Sequence, residues 1–384
     1  MIVIKKLITA ISTAAFLISS GCSAAMLPTK SGISEEYNKI ASTTELKSGY
    51  VPINYPKQVG MWLPYVKFPE YMQGKSEDDF RNGVAEILDN ADADKVNTVY
   101  FHVHPSGDAY YSSDIYPKGV YLDGNYDPLA IVIDEAHKRG ISVHAWINPL
   151  RMQTDEQMQA LPDRFIVKKW INMGKPFVKN VNGRWYLDPA YPETIEFLGD
   201  SVREILEKYN VDGVHIDDYF YPTTSPDFDS EAFEISGASD LAAWRTENVS
   251  RFVKKLYDTV KEKDERLLFG ISPQGNIRAD YETQYADVRK WGSESGFCDY
   301  IVPQIYYGFE NETMPFLTTL EEWLKLTDES VVSLIIGLAA YKLGREDKWA
   351  GSSAELEWIN DPDIINKQID AVEASEANGY AIYY

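Results

Sequence analysis

From Val59 onward the chain repeats one unit: a short apolar run, a loop rich in polar and aromatic residues, then an amphipathic helical stretch. The apolar runs are Val59–Leu63, Thr98–Val103, Ser142–Asn148, Gly213–Asp217, Leu268–Ser272, Tyr300–Gln304, Val332–Gly337 and Tyr380–Tyr384. The helical stretches between them carry start and stop signals. Ser76 is placed to cap the first, Asp127-Pro128 opens the second as N-cap and first-turn proline, and Gly140 closes it. Asp361-Pro362 repeats the opening signal on the seventh. Eight strands alternating with seven helices call for a parallel sheet, and closure into one (β/α)8 TIM-type barrel is the economical arrangement. An open doubly wound sheet is disfavoured, because no Gly-rich phosphate loop follows an early strand. The sequence reaches the eighth strand at Tyr384 and carries no helix after it.

Upstream, Lys5-Lys6 precedes an apolar run from Leu7 to Ile18 and then Ser19-Ser20-Gly21-Cys22. That run is too short to span a bilayer and has the layout of an export signal. Small residues before a cysteine resemble a bacterial lipoprotein signal over residues 1–21, with Cys22 as the lipidated first mature residue. Ser19 stands where such signals usually carry leucine, so a simple secretory signal is the alternative. Either places the protein in the cell envelope, outside the cytoplasm. Residues 22–56 read as a Ser/Thr/Lys-rich tether and residues 57–384 as the barrel. With Cys22 lipidated, Cys298 has no disulfide partner, since the chain has two cysteines. A formal charge of −22 argues against a nucleic-acid partner and against charge-driven binding to an anionic membrane. The only membrane contact expected is through the anchor.

Alternation along the strands sorts the side chains. It turns Tyr100, His102 and His104 inward on the second strand, and His144, Trp146 and Asn148 on the third. On the fourth it turns His215 and Asp217 inward, followed by Ser272 and Gln274 on the fifth and Gln304 and Tyr306 on the sixth. Barrel enzymes keep their chemistry at the C-terminal strand ends. There this sequence has His104, Asn148, Asp217, Asp218, Gln274, Gln304 and Tyr306, where a purely structural layer would be Val, Ile and Leu.

Several motifs occur in order: Phe101-His-Val-His-Pro-Ser-Gly-Asp-Ala109, Asp127-Pro128, His144-Ala-Trp-Ile-Asn-Pro149, Tyr186-Leu-Asp-Pro189 and Asp212-Gly-Val-His-Ile-Asp-Asp-Tyr-Phe-Tyr-Pro222. Phe269-Gly-Ile-Ser-Pro273, Tyr285-Ala-Asp-Val-Arg-Lys-Trp291 and Asp299-Tyr-Ile-Val-Pro-Gln-Ile-Tyr306 follow. From about Val59 to Tyr384 the chain resembles the glycosyl-hydrolase-like 10 family, which includes bacterial surface lipoproteins. Some members are peptidoglycan glycosidases acting on glycan strands already stripped of their peptides. The resemblance implies a polysaccharide substrate and no cofactor. The sequence departs from the family pattern at His102 and His104, where glutamine and arginine are usual.

Glycoside cleavage usually needs two carboxyl groups, one to protonate the leaving oxygen and one as base or nucleophile. Asp217 and Asp218 are the catalytic candidates. Adjacent strand residues point opposite ways, so the two share a site only where the strand ends between them, and Asp218 otherwise caps its loop. No acid stands at the ends of strands five and six, and Tyr306 occupies strand six instead. That pattern resembles enzymes whose nucleophile is the substrate's own acetamide. Asp108, in the turn after Gly107, is the other possible second acid. Candidate substrate-binding residues are His104, Asp108, Asn148, Arg151, Tyr219, Gln274, Gln304, Tyr306 and Lys342. Tyr219-Phe-Tyr221, Trp170, Trp185, Tyr186, Trp349 and Trp358 are candidates for a sugar-stacking rim. Two rivals stand. His102, His104, His144 and His215 together suggest a metal-dependent hydrolase or deacetylase. Loss of a usable second acid would leave a lipoprotein that binds glycan without cutting it.

Overall fold

The computed structural model describes residues 49–384. Cys22, the export signal and most of the expected tether lie outside the described residues. Among the described residues no helix is long and apolar enough to cross a membrane.

The barrel staves are β1 (Gln58–Leu63), β2 (Thr98–His104), β3 (Ser142–Ile147), β7 (Gly213–Ile216), β8 (Leu268–Ile271), β9 (Tyr300–Ile301), the paired segments β10 (Ser333–Leu334) and β11 (Ile336–Ala339), and β12 (Gly379–Tyr383). All pairings among them are parallel. β10 pairs with β9 and β11 pairs with β12, so the single stretch 333–339 closes the ring through the break at Ile335. The expected strands are all present. The longer helices between them, of eight residues or more, are α1 (Glu77–Ala93), α2 (Pro128–His137), α3 (Pro192–Lys208), α4 (Leu241–Lys263), α5 (Ile277–Gln284), α6 (Phe316–Leu326) and α7 (Ile364–Glu373). Ser76 and Asp79 form a reciprocal capping box on α1, and Asp127 accepts from Ala130 N on α2. On α7 the helix begins at Ile364, a turn's length beyond the Asp361-Pro362 signal.

One insertion was not expected. After β3 the chain builds a small antiparallel sheet from β4 (Arg151–Thr154), β5 (Val178–Val181) and β6 (Arg184–Leu187), in the order β4-β6-β5. The β5–β6 turn is Asn182-Gly183, both at positive φ, which is the two-residue hairpin signal.

The barrel interior is filled by Trp62, Tyr100, Trp146, Tyr300, Val302, Ile335 and Ala381. Such wide rings fit only beside small neighbours: a Cβ on Gly270 would lie 1.9 Å from the Tyr300 ring, and one on Gly60 would lie 2.8 Å from Tyr100. Two inward histidines are satisfied inside this column. Trp62 Nε1 donates to His215 Nε2 (3.2 Å), which leaves His215 Nδ1 to donate to the Tyr300 hydroxyl (3.1 Å). Tyr300 then donates to His144 Nδ1 (2.6 Å), and His144 Nε2 donates to Asn54 Oδ1 (3.3 Å). This one-way chain fixes both tautomers and keeps both rings neutral.

The base of the barrel corrects the tether boundary. Residues 50–55, expected to be tether, are docked. The Tyr50 hydroxyl and Ile53 N both donate to Asp212 Oδ1, while His137 Nε2 and Val143 N meet Oδ2. Asn54 Nδ2 donates to the carbonyls of Asp212 and Arg266. Asp212, which opens the strand-four motif, is therefore an anchor at the end of the barrel away from the strand C-termini.

Candidate active site

β7 ends at Ile216, before both aspartates, so strand alternation no longer separates them. Asp217 and Asp218 line one cavity of about 300 Å³ at the C-terminal mouth, with Trp62, Tyr65, His102, Trp146, Gln304 and Tyr306 among its walls. Tyr219, Tyr341 and Tyr383 complete the aromatic lining. Roomier grooves of about 420 and 670 Å³ lie elsewhere on the surface, but neither is lined by a buried carboxylate. The loop that carries the aspartates is held from behind. The Tyr221 hydroxyl donates to Asp229, Asp229 pairs with fully buried Arg245 (2.6 Å), and Arg245 lies over the rings of Tyr221 and Tyr285.

Asp217 is 5% exposed. Its Oδ2 accepts from Trp146 Nε1 (3.1 Å) and its Oδ1 from Tyr219 N (3.3 Å). Burial holds its carboxyl well above the usual range, and the neighbouring Asp218 charge adds to the effect. The two hydrogen bonds and the Arg151 charge oppose the shift without cancelling it. Asp218 is also raised by burial, with Gln304 pulling it back. Two coupled carboxyls in one apolar cavity do not both ionise readily, and the deeper Asp217 is the better seat for the shared proton.

The structure brings together some of the expected residues and separates others. Asp217, Asp218, Tyr219, Gln304 and Tyr306 share the cavity. Arg151 stands beside it, at the start of β4. Its guanidinium lies 4.8 Å from the Tyr219 ring centroid and 6.0 Å from that of Tyr65, with Nε and Nη1 buried and unpartnered among the described residues.

His104 is turned away. The β2–β3 register skips at Val103, whose carbonyl leaves the ladder for Tyr110 N, so His104 pairs with outward-facing Ile147 rather than continuing the inward row. Its Nδ1 meets the Asp108 carbonyl (2.8 Å), and its ring packs on Tyr116. Asp108 is a buried turn residue. Its carboxylate accepts from Ser106 N (3.0 Å), and burial pushes its pKa up to about 6. Asn148 donates to the Pro105 carbonyl, the backbone N of Gln274 donates to Asp280, and neither residue is among the cavity's lining residues. Lys342 donates to the Tyr306 carbonyl (2.7 Å) and pairs with Asp347, bracing the Tyr306 loop from outside.

Sequence reasoning missed several rings. Trp62, Tyr65, Tyr341 and Tyr383 form much of the cavity wall. The rim expected from Trp170, Trp185, Tyr186, Trp349 and Trp358 is not part of the cavity lining: Trp358 is fully buried, Trp170 packs on Phe177 and Phe197, Trp185 donates to Asp155, and Trp349 is exposed. Phe220 and Tyr221 are likewise buried in the loop's own core. The four inward histidines do not converge as ligands either. His104 faces outward, His144 and His215 are committed to Tyr300, and no group of three or more His, Cys, Asp or Glu among the described residues is arranged to hold a metal ion.

Residues 58–352 match the family model described as glycosyl hydrolase-like 10. The chain belongs to this family. Among curated members, glycosyl hydrolase DigH of Escherichia coli K12 is 32% identical over 327 residues, covering 77% of this chain and 73% of that protein. Glycosyl hydrolase YngK of Bacillus subtilis is 30% identical over 333 residues, covering 79% of this chain and 64% of that protein. Membership of the glycosyl hydrolase-like 10 family supports a glycan hydrolase on a TIM-type barrel. Solved structures agree on the fold. The glycoside hydrolase domain of PgaB (BpsB) from Bordetella bronchiseptica superposes with a TM-score of 0.54 at 12% identity, over 85% of this chain and 93% of that one. The alpha-amylase of Geobacillus thermoleovorans gives 0.52 at 13% identity, over 86% and 71%.

Proposed function

We propose that this protein hydrolyses O-glycosyl bonds in an N-acetyl-sugar-containing cell-wall polysaccharide, with peptide-free peptidoglycan strands as its substrate. We further propose that it works outside the cytoplasm, tethered by a lipid on Cys22. The observation that carries the reading is the Asp217–Asp218 pair at the floor of an aromatic cleft, one acid buried and raised, the other in contact with Gln304. Tyr and Trp faces suit pyranose rings, and a protonated carboxyl suits a leaving glycosidic oxygen.

Asp217 gives its proton to that oxygen as the bond to C1 breaks. The carbonyl oxygen of the substrate's 2-acetamido group closes on C1, with Asp218 accepting from the acetamide N–H and Tyr306 holding the group in place. Water then adds at C1, returns a proton to Asp217 and reopens the ring. This route is favoured because, among the described residues, Asp217 and Asp218 are the only acids lining the cavity, with no separate carboxylate placed as nucleophile across the bond. Arg151, with two bare donors beside the cavity, supports a strand carrying free lactyl carboxylates, which exist only once the peptides are gone. Peptide-free and intact sacculi should be incubated with the protein and new reducing ends sought by mass spectrometry. Release from peptide-free strands alone is the expected result. No new ends from either would sink the hydrolase reading and leave a glycan-binding protein.

A further inference from the structure

The cavity floor contains a polar ring that its neighbours do not satisfy. His102 lines the cavity, is 1% exposed, and has neither ring nitrogen hydrogen-bonded among the described residues. The Asn148 amide lies close enough to favour the protonated ring, yet its Oδ1 and both ring nitrogens fall outside hydrogen-bond geometry. Nor is the ring loosely held. It stacks on Trp146 with centroids 3.7 Å apart and planes at 14°, and Tyr65 meets it edge-on at 5.3 Å. The same Trp146 donates to Asp217. In the ladder His102 pairs with Trp146 and Trp146 with His215, which places His102 one layer beneath Asp217.

The contrast with the other inward histidines is informative. His144 and His215 each have both nitrogens bonded. A buried polar group left unpaired costs about 1–3 kcal/mol, and a phenyl ring of similar shape would fill the same stack without that cost. Burial, helped by the nearby His104 and Arg151 and only partly opposed by Asn148, pushes the His102 pKa well below its ordinary value. The imidazole is therefore neutral and offers one N–H donor and one bare acceptor nitrogen.

We propose that His102 is a substrate-contacting residue of this site, hydrogen-bonding a sugar hydroxyl that is seated on the cavity floor beneath Asp217. A hydroxyl both donates and accepts, so it can complete either nitrogen. The proposal rests on the glycosidase reading above.

The test uses the full chain, a peptide-free glycan oligosaccharide and its single-deoxy analogues. His102→Phe keeps the stack and removes both nitrogens. It should lower kcat/KM about 10- to 100-fold while leaving the thermal midpoint unchanged or raised, because an unsatisfied group has been removed. One deoxy analogue should be poor for wild type, and His102→Phe should handle it no worse than the parent glycan. Wild-type turnover by the variant would overturn the proposal. So would a slow variant that still discriminates against every analogue as wild type does, since the ring would then be a packing element. Should the phenylalanine variant not fold, His102→Leu, which also removes both nitrogens, carries the same comparison. Asp217→Asn is run alongside. If it is inactive while His102→Phe is normal, only this proposal fails. If both are active, the assignment of the whole site fails.

Discussion

Replacing Asp217 with asparagine should nearly abolish turnover while leaving the fold intact, and its stability should respond to pH in a direction fixed by the burial of the acid. A positioned general acid contributes roughly 10²–10⁴-fold, or about 3–5 kcal/mol of barrier. Asparagine fills the same space but has no transferable proton, so a loss of that order is expected in kcat, with little change in glycan affinity. The structure also sets the effect on the fold. Both Asp217 oxygens accept, from Trp146 Nε1 at 3.1 Å and from Tyr219 N at 3.3 Å, whereas the amide offers one acceptor. Its oxygen should keep the shorter bond and forfeit the other, a cost of about 1 kcal/mol. Against this stands linkage. The native pKa of Asp217 is raised, so above the unfolded value of 3.8 the folded state holds a proton that the unfolded state has released. Wild-type stability from this group is therefore present at low pH and drains away as pH rises, until Asp217 itself ionises. Asparagine has no such term. The thermal midpoint of the variant relative to wild type should climb as pH rises above the unfolded value of 3.8, until Asp217 ionises in the folded state. Reducing-end release, glycan calorimetry and pH-resolved melting read the three quantities. Hydrolysis near the wild-type rate would refute the catalytic assignment, and a relative midpoint that falls with pH would refute the claim that burial dominates.

Asp218→Asn removes the charge that helps hold Asp217 up, so the alkaline limb of kcat/KM should move to lower pH; a limb that stays put would show that the two acids are not coupled. If Asp218 orients the acetamide, the variant should lose rate on the order of 10²-fold, and Tyr306→Phe should lose rate with it. Deleting the chain through Pro56 takes both the Tyr50 and Ile53 donors from buried Asp212. Bonds to a charged group are worth about 1.5–3 kcal/mol each, so urea unfolding should report a loss of about 3–6 kcal/mol. A chain beginning at Gly49 should keep full stability, and equal midpoints for the two would contradict the docking argument. Labelled palmitate should enter the protein and Cys22→Ser should abolish the labelling; an unlabelled wild type would leave simple secretion.

The barrel was legible because its staves are apolar runs of the right length and its helices carry caps, both properties of short stretches. The aspartate pair was legible for the same reason, since a strand that ends in two acids announces a functional end. Alternation failed at His104 because the skip at Val103 depends on where Tyr110 returns to the strand, and no local pattern encodes that. Trp62 and Tyr383 follow the same alternation, which turns both rings inward, but an inward aromatic ring has the sequence signature of core whether or not a cavity opens beside it. The small sheet beside the mouth had a usable signal in Asn182-Gly183 and was passed over. Lys342 shows the limit in the other direction. It lies near the mouth in sequence, but its ammonium is spent on the Tyr306 carbonyl and Asp347, partners supplied by tertiary structure.

The two polar layers of the barrel explain which of its buried groups are there for the fold and which for chemistry. In the lower layer each donor finds an acceptor: Trp62 to His215, His215 to Tyr300, Tyr300 to His144, His144 to Asn54. A fully satisfied chain of this kind rigidifies a core and asks nothing of a ligand. Around the cavity, from the row of His102 up to Asp217, the accounting does not close. His102 has two bare nitrogens, Arg151 two bare donors, and Asp217 a carboxyl whose burial no buried cation offsets by a direct contact. Each deficit destabilises the empty protein and could be removed by an apolar substitution of similar shape. Groups of this sort persist where the missing partner is something that binds. Inside the barrel these deficits lie around the cavity, although other buried atoms such as Asn248 Nδ2 and Thr327 Oγ1 are unpaired elsewhere, and a bound substrate is the partner proposed to complete them.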